Sequence, residues 1–135
     1  EFLIKLSFRS TRRDKLSQVA IVDLLPGGME PVLRKQADPP VSMQDGDWHD
    51  EVPAWQSPIG EPGNRWQPNY ADVRDDRVIL YGNLSRDMGQ FVYRVRATNV
   101  GKFALPAPFA EGMYNRRLKA LGKQSVIEVV PASSP

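Results

Sequence analysis

Apolar and polar side chains alternate with a period of two in several short runs along this chain. In "EFLIKLSFR", Phe2, Ile4, Leu6 and Phe8 share one face, and Lys5, Ser7 and Arg9 share the other. Such alternation predicts a strand with one face buried. "STRRDKLS" reads as a charged turn, and "QVAIVDLL" as a second strand stopped at Pro26-Gly27-Gly28. Proline presets φ there and glycine accepts the positive φ that a tight turn demands. The most regular run is "QFVYRVRAT", where Phe91, Tyr93, Val95 and Ala97 alternate with Val92, Arg94, Arg96 and Thr98. "NVGK" then turns the chain into a short strand at 103–105. "YADVRDDRVILYGNL" holds one or two more strands, because Val78, Ile79, Leu80 and Tyr81 favour a pleated surface. "SVIEVV" is the last strand, before a frayed tail at 131–135. Short strands separated by turns, with scarcely any helical period, predict an all-β fold: an antiparallel β-sandwich.

One region departs from this pattern. Residues 35–69 carry no sustained period of either kind, yet they hold Trp48, Trp55 and Trp66 and the sole histidine. Seven of the twelve prolines fall between Pro31 and Pro68. The segment reads as a long, irregular insertion between strands. Its tryptophans either pin it to the sheet face or bind an outside partner.

Composition narrows the function classes. A chain of 135 residues is one domain of ordinary size. With no cysteine, it has no disulfide framework, thiol nucleophile or thiolate metal site, though an extracytoplasmic location stays open. The formal charge of +2 comes from bases interleaved with acids, as on a solvated surface, and does not predict a nucleic-acid partner. No apolar run reaches the roughly 18 residues of a membrane span. The chain opens in mid-strand without an initiator methionine, which predicts a module of a longer polypeptide.

Candidate catalytic chemistry is sparse. His49 in "DGDWHDE" has no second histidine and no nucleophile elbow near it. Asp45, Asp47, Asp50 and Glu51 suggest calcium, but Gly46 comes too early for an EF-hand loop. In "RDDR", residues 74–77, each acid has an arginine neighbour, so a salt-bridged hairpin or bulge explains it. No phosphate-cradling glycine loop is present. The expectation is a non-enzyme without metal or cofactor.

The stretch "AEGMYNRRLKA", residues 110–120, is more informative. It follows Pro106 and Pro108, which interrupt ladder pairing, and so predicts a loop or short helical turn. Met113 and Tyr114 lie between Glu111 and the bases Arg116, Arg117, Lys119 and Lys123. The pair either fills the sandwich core or stands out to meet a partner. The bases either serve solubility and a helix end, or Arg116, Arg117 and Lys119 form a rim that steers docking.

Three phrases in fixed order, "VDLLPGGMEP", "WQPNYADVRDDRVILYG" and "FVYRVRATNVGKFALPAPFAEGMYN", followed by a terminal strand, carry a resemblance. Over about residues 1–130 the chain resembles the C-terminal macroglobulin-like domain of bacterial α2-macroglobulins. The resemblance implies a module of a large periplasmic protein, lipid-anchored to the inner membrane at an N-terminus outside this chain. Such proteins trap proteases: bait-region cleavage exposes an internal thioester that captures the attacker. The domain matches the animal receptor-binding domain in position, but is implied to pack against the thioester domain. There, a Met-Tyr pair shields the thioester from water, and Met113 and Tyr114 match that pair, after Glu111. The implied partners are the thioester domain of the same protein and, through the whole protein, its target proteases. The alternative reading is binding of another envelope protein or peptidoglycan through Trp48, Trp55 and Trp66. The thioester motif, C-x-E-Q, belongs to a different domain.

Overall fold

The structure is a computed structural model that describes residues 1–11, 13–33, 58–61, 64–115 and 117–131. Ten strands run in chain order: β1 (Phe2–Phe8), β2 (Lys15–Leu24), β3 (Met29–Pro31), β4 (Tyr70–Val73), β5 (Arg77–Ser85), β6 (Gly89–Ala97), β7 (Gly101–Leu105), β8 (Phe109–Gly112), β9 (Lys119–Leu121) and β10 (Ser125–Val129). They form a three-stranded sheet β1-β6-β3, a five-stranded sheet β4-β5-β2-β8-β9 and a ribbon β10-β7, all antiparallel. This is the antiparallel all-β sandwich that the alternation predicted, with no helix among the described residues.

The alternating faces build the core. On β6, Phe91, Tyr93 and Val95 are all 0% exposed, and they meet Val19 and Ile21 of β2 and Val78 and Leu80 of β5 in one apolar cluster. Each such side chain withdrawn from water contributes roughly 1.5–3 kcal/mol before ordering costs. The polar half of β6 is matched on the outer face. Arg94 reaches Glu61 (3.0 Å) and Glu1 (2.9 Å), and Arg96 pairs with Glu30 directly across the ladder.

Four local expectations are refined. The charged run before β2 is partly strand: Lys15 and Leu16 pair with Ser85 and Leu84 ahead of a bulge at residues 17–18. Leu16 packs against the core, a tertiary gain hidden among charged neighbours. The "NVGK" turn makes no hairpin with β6, since β7 pairs with β10 instead. Thr98 donates both its N–H (2.6 Å) and its Oγ1–H (2.8 Å) to the Gly28 carbonyl, diverting the chain, and Phe103 and Ile127 then pack side by side on the core. The "RDDR" segment is the salt-bridged hairpin expected between β4 and β5, with Arg74 on Asp72 and Arg77 on Asp76. Finally, half of residues 110–120 is strand rather than loop or helical turn: Phe109–Gly112 pairs with β2 on one side and β9 on the other.

The end of the Pro/Trp-rich segment belongs to the core. Ile59 is 1% exposed, Glu61 N–H donates to Val92 O (2.7 Å), and Asn64 exchanges two hydrogen bonds with the Val92 backbone. His49, Asp45, Asp47, Asp50 and Glu51 lie outside the described residues.

Candidate functional site

The β8–β9 hairpin carries the residues singled out from sequence. Its turn is closed from within: Gly112 N–H donates to Leu118 O (2.9 Å), and Leu118 N–H to Asn115 O (3.1 Å). The Asn115 side chain adds an acceptor for the Arg117 N–H (3.1 Å). Gly112 is needed for this closure, because a Cβ there would stand 2.7 Å from the Asn115 carbonyl oxygen. Met113 N–H donates to the Gln18 carbonyl (3.0 Å), which fixes the base of the turn to β2. With the backbone committed inward, the two side chains project outward: Met113 is 51% exposed and Tyr114 85%. They do not fill the core.

A relay supports this posture from below. Gln18 sits in the β2 bulge with φ of 58°, unusual for a residue bearing a Cβ. Its N–H donates to Asn83 Oδ1 (3.2 Å), and the Asn83 carbonyl accepts from Trp66 Nε1 (2.8 Å). The Trp66 ring meets Phe8 edge-on at 4.7 Å and Phe91 at 6.1 Å. Trp66 is thus held within the fold, while Trp48 and Trp55 lie outside the described residues. Gln18 and Asn83 escaped the sequence reading, although Gly82 inside a strand pattern signals a close approach. A Cβ on Gly82 would meet the Trp66 ring at 2.5 Å.

Charges around the hairpin are distributed unevenly. Glu111 lies directly opposite Lys119 on the ladder and is half-buried. Arg117 and Lys119 are exposed, and Arg116 lies outside the described residues. One buried polar pair bridges the two sheets: the Tyr93 hydroxyl of β6 donates to Asp23 Oδ2 of β2. Burial pushes the Asp23 carboxyl above the usual aspartate range, and the hydrogen bond from Tyr93 opposes that rise in part. Burial, and then the charge of Asp23, push the Tyr93 phenol far up. Among the described residues no group of three or more His, Cys, Asp or Glu is placed to hold a metal ion.

Comparison with known proteins places this geometry in a family. The profile described as "Bacterial Alpha-2-macroglobulin MG10 domain" matches residues 1–116. The chain belongs to this family. An "Alpha-2-macroglobulin homolog" of Yersinia pestis is 39% identical to this chain over 131 residues, covering 95% of this chain and 6% of the relative. An "Alpha-2-macroglobulin" of Rickettsia conorii is 29% identical over 83% of the chain and 5% of the relative. The chain therefore spans only about a twentieth of the length of the curated relatives it matches. Among solved structures, a Salmonella alpha-2-macroglobulin mutant superposes with a TM-score of 0.65 at 25% identity, over 96% of this chain and 8% of that one. The native conformation of E. coli alpha-2-macroglobulin gives 0.66 at 23% identity, with the same coverage, and shares the fold.

Proposed function

We propose that this MG10 domain is a non-catalytic docking module. It seats Glu111, Met113 and Tyr114 on the thioester domain of the same full-length protein and shields the thioester in the resting state. One observation carries the reading: two large side chains stand in solvent at the tip of a hairpin whose backbone is hydrogen-bonded closed. A fold that buries Phe91, Tyr93 and Val95 completely leaves Tyr114 out, and a pre-set loop loses little ordering entropy when it docks. An acyl-thioester survives only where water is excluded. The flexible, polarisable thioether of Met113 and the rigid ring of Tyr114 supply the bulk for that seal. Arg117 and Lys119 form the charged rim of the docking face.

In this reading the parent protein is a protease trap of the periplasm, tethered to the inner membrane by a lipid outside this chain. A related E. coli alpha-2-macroglobulin is described as trypsin activated, in keeping with a protease as the trigger. The test is Tyr114→Ala in the full-length protein, followed as the rate of reaction with methylamine. Loss of one aromatic anchor should speed that reaction by about tenfold or more. Unchanged kinetics would remove the shield. Binding of an envelope protein or peptidoglycan through the tryptophans gains no support from Trp66, which is engaged inside the fold.

A further inference from the structure

A groove of about 400 Å³ opens beside the hairpin, between the turn after β1, the start of β2 and the β8–β9 strands. Its volume lies within the range of ligand-binding clefts. Leu16, Leu84 and Leu118 contribute apolar surface, and Arg9, Arg13 and Arg117 contribute three guanidinium groups. Glu111 is the one acid among the lining residues.

The state of these arginines matters more than their number. Nine arginines fall among the described residues. Five of them, Arg74, Arg77, Arg86, Arg94 and Arg96, are in ion pairs with acids of this chain. Arg9, Arg13 and Arg117 are exposed, and none of the three is in an ion pair among the described residues. The acid nearest in sequence, Asp14, is already committed to Arg86 at 3.0 Å. Of the four described arginines outside these ion pairs, Arg65 lies elsewhere, near Phe8 and Trp66, and the other three gather around one apolar floor with Glu111 as the one acid among the lining residues.

We propose that this groove receives an extended, carboxylate-bearing segment of a partner polypeptide. Its acidic side chains face Arg9, Arg13 and Arg117, and an apolar side chain between them rests on the leucines. Guanidinium groups suit this task because their planar donors meet a carboxylate two at a time. The apolar floor favours a peptide over a nucleic-acid strand, whose phosphates would gain nothing from leucine. The site shares Glu111, Arg117 and Lys119 with the docking face proposed above but requires no thioester in its partner, so the two readings fail separately.

The experiment is an amide NMR titration of the 135-residue chain with a blocked peptide of alternating glutamate and leucine. Shifts should centre on residues 9–19 and 110–120. Raising NaCl from about 50 to about 500 mM should weaken binding several-fold, because exposed charges are screened. The double variant Arg13→Glu/Arg117→Glu should lose about tenfold or more in affinity with an unchanged thermal midpoint, and Tyr114→Ala should bind as before. Four results would each overturn the proposal: shifts elsewhere or none, equal binding of a glutamine-for-glutamate peptide, equal binding of an oligothymidylate, or full affinity in the double variant. If those arms fail while Tyr114→Ala still accelerates the methylamine reaction, the groove is lost and the shield stands.

Discussion

The outer face of the β1-β6-β3 sheet and the β8–β9 hairpin are both polar-rich surfaces of one sandwich, and they are finished differently. On the sheet face, Arg94 lies between Glu1 and Glu61, Arg96 lies on Glu30, and the aromatic side chains of β6 point inward. On the hairpin, Met113 and Tyr114 point outward, and Arg117 has no acid of its own among the described residues. The first surface pairs both of its β6 arginines with acids of the chain. The second holds its backbone rigid and leaves its side chains for something else. A fold can therefore mark a contact surface by what it declines to match internally, and not only by being apolar.

If that contrast is real, the two tyrosines should behave oppositely when altered. Tyr93→Phe removes the hydroxyl that donates to the buried Asp23 carboxylate while keeping the ring in the core. Denaturant unfolding should show a loss of about 1.5–3 kcal/mol, the range for a hydrogen bond to a charged group. Tyr114→Ala, on an 85% exposed side chain, should stay within about 0.5 kcal/mol of the parent. Equal losses would erase the distinction between a finished interior and an unfinished edge.

The Asp23–Tyr93 pair sharpens the contrast through pH. The carboxyl is raised in the folded state, so the folded protein holds that proton more tightly than the unfolded chain does. Stability from this group is fully present below the unfolded value, near pH 4, and is lost as pH rises through the folded value. In Asp23→Asn, thermal midpoints should lack this decline, so the difference between variant and parent should change across that window. A constant difference from pH 3 to pH 7 (about the span of carboxyl titration) would show that Asp23 titrates normally. The smallest effect belongs to the sheet face. Arg96→Ala breaks an exposed pair, and the thermal midpoint should barely move, because solvent screens such pairs and side-chain entropy offsets them.

The strands were largely legible because alternation is a local property. Phe91, Tyr93 and Val95 separate from Arg94 and Arg96 within nine residues of chain, and hydrophobic burial then selects the face. The hairpin was legible only in part. Pro106 and Pro108 pointed to a break, yet Phe109–Gly112 pairs on both edges because β2 supplies a partner that lies far away in sequence. The Gln18 bulge was hidden for the same reason, since its hydrogen bonds run to Asn83 and Met113.

By itself the sequence determined the all-β class, the inward faces of the long strands and the family, since each is written in short-range alternation or in ordered phrases of residues. Tertiary structure alone decided the partner of β7, the pairing of Tyr93 with Asp23 seventy positions away, and the outward stance of Met113 and Tyr114. Those outcomes depend on which distant backbone groups and which apolar surface come within reach after collapse, and no local window of the chain contains that information.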